Sequence, residues 1–350
     1  MPSRLHLLRT VAASACAVLL PASGHAQEDM AAFYKGRSIN MYIGAAVGGG
    51  YDAYARLLGR HIAKYIPGNP NVIPINMPGA SGNTVVAHIY NLPKDATTIA
   101  QIPPGAITKP IYAERDKIRY DFTQLVYLGS ANNEVNLCWS RADAAVKTFP
   151  DLFDKELIIG GSGEGDSTRD FAVAENNILG TKFKLILRYT GVRDIVLAVD
   201  RNEIQGVCGT GVPAMMTTRP EWISSGFAKM LVQQNAKGSP RLNAMGVPRT
   251  ADFAKTPEDR KVLELIYAQQ QFGRPFVMPP GSPPNRVAMM RKAFLQVLQD
   301  KELLAEAAKM NLDIEAMSGD ELQAVVSQIY ATPAPIVERA IKALGYNPPR

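Results

Sequence analysis

Three glycine-rich turns carry the residue types best suited to gripping an anion. They are Gly48-Gly49-Gly50-Tyr51-Asp52, Pro78-Gly79-Ala80-Ser81-Gly82-Asn83 and Gly160-Gly161-Ser162-Gly163-Glu164-Gly165-Asp166-Ser167-Thr168. Each follows a strand-like run and opens a helical pattern. Backbone N–H groups and the helix's partial positive charge would therefore meet just beyond a strand's carboxyl end. One such turn is explained by a tight bend alone, whereas three in equivalent positions point to a shared cleft.

Competing chemistries fail on specific residues. Gly48, Gly50 and Ala53 fit the dinucleotide fingerprint, but no Asp or Glu lies between Ala53 and Lys94, and Asn76 stands where a ribose-binding acid belongs. Gly160, Gly165 and Ser167 fall at P-loop spacing with Asp166 in place of the lysine, and that carboxylate would repel phosphate. Neither Ser81 nor Ser162 is centred in G-x-S-x-G, and His61 and His88 read as helix-surface residues with no Cys, Asp or Glu at ligand spacing. Glu164 and Asp166, two residues apart, read as helix-capping acids rather than a glycosidase pair. The chain is thus expected to be no enzyme and to carry no metal or cofactor.

The elements that must position these turns alternate. Strands are predicted at 39–43, 72–76, 98–102, 135–139, 157–160, 184–189, 204–208 and 274–278, with helices at 52–65, 83–91, 168–179, 193–199, 285–298, 320–330 and 335–344. Phe227–Val232 reads as a strand leading back to the first lobe. The pattern belongs to α/β proteins with mainly parallel sheets, and 350 residues exceed what one core usually serves, so two lobes are expected.

Residues 1–26 have the form of a signal peptide: basic Arg4 and Arg9, an apolar stretch from Thr10 to Ala22, and Gly24-His25-Ala26 before cleavage. Export places the protein in the periplasm. It removes two charges from a formal +6, and with no lysine-rich run the remainder favours neither nucleic acid nor lipid as partner. It also leaves Cys138 and Cys208, each in a short apolar strand, read here as free buried thiols.

The turns, taken together, resemble the Bug family, the periplasmic receptor subunits of tripartite tricarboxylate transporters. The family's Gly-Gly-x-x-Asp turn leading to an Ala-Arg is similar to Gly49-Gly50-Tyr51-Asp52 with Ala55-Arg56. Its R-P-G-A-G-G-N turn resembles Met77–Asn83, its G-S-S-G-x-G-T-x-x-H turn Gly160–Arg169, its Y-K-G loop Tyr189-Thr190-Gly191, and its W-F-G stretch Gln271-Phe272-Gly273 through Pro283. The sequence departs from the family at Ala45-Ala46-Val47, Asp166, Arg169 and Thr190. The resemblance implies a two-lobed type II periplasmic-binding-protein fold with two crossing strands. The lobes are expected at 27–134 plus 235–350 and at 135–234.

The function expected is capture of a small organic acid, a mono-, di- or tricarboxylate, between lobes that close on it, and its delivery to membrane permease subunits by a monomeric receptor. A periplasmic sensor that presents its closed form to a histidine kinase is the alternative. The candidate wall comprises Gly49, Gly50 and Tyr51 from the first turn and Ser81 and Asn83 from the second. Ser162, Gly165, Asp166, Ser167 and Thr168 come from the third, and Thr210 from a later strand end. Arg169 and Arg193 either form a positive pole for a second carboxylate or face solvent. Tyr51 and Phe272 either stack on an aromatic acid or pack in the core.

Overall fold

The computed structural model describes residues 29–346, apart from 113–119, 213–214, 216–218, 220, 236–237 and the side chain of Ser81. The export segment 1–26 and its cleavage after Ala26 lie outside the described residues. Among the described residues, no helix is long and apolar enough to cross a membrane.

The strands are β1 (Ser38–Ile43), β2 (Asn71–Asn76), β3 (Thr98–Gln101), β4 (Val126–Ser130), β5 (Asn136–Arg141), β6 (Leu157–Gly161), β7 (Phe183–Leu187), β8 (Gly206–Gly211), β9 (Ala228–Gln234), β10 (Pro275–Met278) and β11 (Met317–Ser318). They form two sheets, ordered β11-β4-β10-β3-β1-β2 and β7-β6-β8-β5-β9. The β2-β1-β3 and β7-β6-β8 portions are parallel, as strands joined through helices must be. The remaining pairs are antiparallel, because β4, β5, β9 and β10 lie where the chain runs between sheets or turns back. Both sheets are therefore mixed. Pro74 is tolerated in β2 because that strand lies at a sheet edge and pairs with β1 alone.

The strands bury faces that the sequence pattern dictates. Ile39, Met41 and Ile43 alternate inward along β1 and meet Leu57, Leu58 and Phe294 on the first sheet's helices. Leu137 and Trp139 of β5 pack with Ile195, Val199 and Trp222 on the second. A further core belongs to both sheets: Ile102 and Tyr127 join Cys138, Ile159 and Val232 through the helices Pro257–Tyr267 and Ala334–Leu344.

The chain crosses between sheets at Ala131–Val135 and again at Phe272–Arg274. These two segments run side by side, with Ala131 N–H donating to the Arg274 carbonyl (3.0 Å) and Gly273 N–H to the Asn132 carbonyl (3.0 Å). The return comes later than the sequence suggested. β9 stays in the second sheet because Gln233, fully buried, holds the following segment beneath it by donating to the Val247 carbonyl (2.7 Å).

One expectation is corrected. Cys138 and Cys208 are not free thiols but a disulfide. They lie on β5 and β8, whose antiparallel pairing sets the two side chains against each other. Closing a loop of 70 residues stabilises the fold by about 4 kcal/mol in the chain-entropy account.

Candidate functional site

The first turn is shaped by Asp52, a buried residue at the start of the helix Gly50–Ile62. Its carboxylate accepts from Gly48 N–H (2.8 Å), Arg56 Nε–H (2.9 Å) and the Asn76 amide (2.8 Å). Burial opposes its ionisation, but these hydrogen bonds outweigh it and hold the carboxyl below its usual range. Asn76 also donates to the Ala45 carbonyl (3.0 Å), which fastens the turn to the end of β2. With Gly49 at the N-cap, the helix has no side-chain cap, so its first N–H groups are left for another acceptor. The helix Val192–Asp200 starts the same way, with Gly191 at its N-cap and no side-chain hydrogen bond.

Arg274, arriving from the second crossing segment, is the central cation. It donates to Glu134 (2.5 Å) and to the Gly273 carbonyl (2.7 Å). Its guanidinium lies 4.5 Å from the ring centre of Tyr51 and 5.0 Å from that of Tyr54, a cation–π arrangement. Only 11% of the side chain is exposed, and its Nε–H is buried with no acceptor. A Cβ at Gly50 would sit 3.3 Å from the terminal guanidinium nitrogen, so glycine leaves room for the arginine. Burial pushes the Tyr51 hydroxyl up to about 12, with Arg274 opposing and the carboxylates of Glu134 and Asp166 adding to the rise.

Two chambers meet at Glu134, Val192 and Arg274, between the carboxyl ends of strands from both sheets. The larger, about 740 Å³, is walled by Gly48–Gly50, Tyr54, Asn132, Arg193 and Arg219. Arg219 is held by Asp200 (2.6 Å), whereas exposed Arg193 has no ion-pair partner among the described residues. The smaller, about 360 Å³, is walled by Tyr51, Pro103–Gly105, Asn136, Gly165–Ser167 and Gly209–Gly211.

The third turn, on the smaller chamber, spends its amides on itself. Asp166 caps the helix Ser167–Leu179 and accepts from Thr168 N–H (2.9 Å). Gly165 N–H donates to Asp170 (3.1 Å), Ser162 N–H to the Thr168 hydroxyl oxygen (3.0 Å), and the Ser167 hydroxyl to the Gly209 carbonyl (2.7 Å).

Of the candidates named from sequence, Gly49, Gly50 and Arg193 line the larger chamber, and Tyr51, Gly165, Asp166, Ser167 and Thr210 the smaller. The others go elsewhere. Thr168 is buried in the turn's own hydrogen bonds with Ser162. Arg169 donates to the Leu344 carbonyl (2.7 Å) and pairs with Asp170 (2.8 Å), clamping the C-terminal helix rather than a ligand. Phe272 is fully buried in the shared core, so it cannot stack on a ligand. Asn83 accepts from the Tyr120 hydroxyl (2.9 Å) and lines neither chamber. The second turn packs behind Pro103, whose Cδ would lie 2.5 Å from a Cβ at Gly82, and the Pro103-Pro104 segment takes its place on the wall. The side chain of Ser81 lies outside the described residues. Sequence reasoning missed Arg274 and Glu134. The available signals were a lone arginine entering an apolar strand and a polar Asn132-Asn133-Glu134 link between two apolar ones.

Among the described residues, two side-chain groups bring metal-ligating types together. In the first, of His61, Asp300 and Glu302, the two carboxylates already hold the Lys64 ammonium, 2.6 Å from Asp300 and 2.7 Å from Glu302, and His61 Nε2 is hydrogen-bonded to Glu306 (2.7 Å). The second joins Glu175 to Cys138 and Cys208, whose sulfurs are bonded to each other.

No family model and no curated protein matches the sequence. Solved structures do. A TctC solute-binding protein from Polaromonas, without ligand, superposes with a TM-score of 0.68 at 20% identity, covering 88% of this chain and 99% of that one. An R. palustris protein with adipate gives 0.60 at 18%, covering 90% and 99%. MatC from Rhodopseudomonas palustris with bound malate gives 0.59 at 16%, covering 88% and 99%. The chain has the α/β fold of the two-lobed periplasmic binding proteins.

Proposed function

We propose that this protein is a periplasmic receptor of the Bug type, which takes a small organic carboxylate into the larger chamber and hands it to the permease subunits of a tripartite transporter. One observation carries this reading: two uncapped helix starts, at Gly50 and Val192, meet Arg193 and Arg274 on the wall of a single cavity. Each charge-assisted hydrogen bond is worth about 1.5 to 3 kcal/mol. Three or four therefore reach the roughly 8 kcal/mol of micromolar binding. The adipate and malate held by two proteins of this fold support an acid as the ligand.

The reading is of binding without turnover. Ser167 is the hydroxyl nearest to a nucleophile in the chambers, but it donates to a carbonyl, and no histidine lines either cavity. The core shared between the sheets supports a modest hinge movement at the crossing pair rather than wide opening. Isothermal titration against mono-, di- and tricarboxylates tests the proposal. At least one acid binds wild type with micromolar affinity and loses most of its heat in Arg274→Met. Silence from every acid, with no thermal shift, overturns it.

A further inference from the structure

One residue behind Gly209 on β8 lies a buried cluster that lines neither chamber and that capture of an acid does not use. Cys138 and Cys208 meet Glu175 there, and all three are fully buried. Glu175 Oε2 lies 3.5 Å from Cys138 Sγ and 3.8 Å from Cys208 Sγ. The Gln234 amide nitrogen approaches the same sulfurs, at 3.3 and 3.8 Å. The cluster thus sets an acceptor and a donor against the sulfur pair. Thiols, which both donate and accept, use the two of them, whereas a disulfide uses the donor alone and leaves Oε2 without a proton to accept. Oε1 differs, because Gln234, Tyr267 and Thr250 donate to it whatever the state of the sulfurs. The groups facing the carboxyl are therefore the two cysteines from β5 and β8, Gln234 from β9, Thr250, and Tyr267 from the helix Pro257–Tyr267, whose hydroxyl burial keeps protonated. Among the described residues no charged side chain stands against it.

We propose that Cys138, Cys208 and Glu175 form a proton-coupled dithiol–disulfide site, in which reduction of the bridge supplies S–H donors to Glu175 Oε2 and releases the proton that the carboxyl holds while the bridge is intact. A soluble dithiol reduces the bridge by exchange. Its two electrons and two protons pass to the sulfurs of Cys138 and Cys208, their S–S bond breaks, and the reagent closes to its own cyclic disulfide. Glu175 changes from carboxylic acid to carboxylate, and its proton goes to solvent. With the bridge intact, burial keeps the carboxyl neutral below neutral pH; with the thiols formed, their hydrogen bonds favour the charged form. The carboxylate in turn keeps both thiols protonated. Exchange at an ordinary disulfide releases no proton and is flat with pH while every thiol stays protonated. Here it releases one, so reduction becomes easier as pH rises.

The test equilibrates the full chain with reduced and oxidised dithiothreitol from pH 5.5 to 8, approached from both the disulfide and the dithiol side, with thiols counted by alkylation and mass. The exchange constant of wild type rises at least about fivefold across that range, as a shift of about one pKa unit on reduction requires, and that of Glu175→Gln stays within twofold. A wild-type constant independent of pH overturns the proposal, as does the same rise in Glu175→Gln. Two measurements on wild type alone guard the result. Reduced protein keeps the folded fluorescence of Trp139 and Trp222 at pH 6.5; unfolding there overturns the proposal, because a freed Glu175 would shed its proton without help from the thiols. The infrared band of a protonated carboxyl, recorded at pH 6.5, weakens when the bridge is reduced, and a band indifferent to reduction overturns it as well.

Discussion

Glu175 offers a quantitative test of how the lobes are built, because it is a carboxyl group sealed away from every cation. It lies on the helix Ser167–Leu179, fully buried. Oε1 accepts from the Gln234 amide (2.6 Å), the Tyr267 hydroxyl (2.8 Å) and the Thr250 hydroxyl (3.4 Å). Oε2 faces the sulfurs of Cys138 (3.5 Å) and Cys208 (3.8 Å), which as a disulfide have no proton to give. Burial raises the carboxyl from 4.5 to about 7, with the three hydrogen bonds opposing. Between those values the folded state holds a proton that the unfolded chain has released. Glu175 is therefore without cost below pH 4.5, and stability is lost as pH rises through 7. The loss at pH 8 is about 3 kcal/mol. Glu175→Gln keeps an acceptor for the same three donors and cannot ionise. Urea unfolding with the disulfide intact, from pH 5 to 8, is the assay. Variant and wild type are expected to differ by less than about 1 kcal/mol near pH 5, and the variant to be the more stable by about 3 kcal/mol at pH 8, which is several degrees in Tm. Parallel stability curves, or a variant weaker by a constant margin at every pH, would refute the reasoning.

Other outcomes follow from single contacts. Arg169→Ala releases the Leu344 carbonyl and is expected to lower stability by about 1 to 3 kcal/mol while leaving acid affinity within twofold; a selective loss of affinity would return Arg169 to the cleft. Gly50→Ala puts a methyl 3.3 Å from the Arg274 guanidinium and weakens acid binding several-fold with little change in Tm, as read by calorimetry on both quantities. Gly209→Ala forces a side chain onto φ +71° with its Cβ 2.1 Å from the Ser167 carbonyl oxygen, so urea unfolding should show a loss of at least about 2 kcal/mol. Replacing both Cys138 and Cys208 with alanine costs about 4 kcal/mol, and an unchanged unfolding midpoint would deny the disulfide its role.

Much of the scaffold was legible because each element stands on a local signal. The strand at 157–160, the helix at 168–179 and the helix at 193–199 lie within one residue of Leu157–Gly161, Ser167–Leu179 and Val192–Asp200, since apolar periodicity and glycine punctuation agree there. The helix Pro104–Tyr112 escaped notice because it opens on prolines and carries Pro110 inside. Pairing was the harder part. Nothing local says that Cys138 faces Cys208, or that Gln233 pins β9 to the second sheet. The same holds for the site. Glycine turns announce a cleft, but whether their amides are free depends on acceptors such as Asp166 and Asp170, and Arg274 reaches Tyr51 from more than two hundred residues away in sequence.

The central claim concerns where an acid's negative charge comes to rest. A crystal structure of the protein with its tightest-binding carboxylate measures this directly. The account predicts carboxylate oxygens within hydrogen-bond reach of Arg274 and the first-turn N–H groups of the helix Gly50–Ile62. A carboxylate lying instead against the Asp166-capped turn, or outside both chambers, would contradict it.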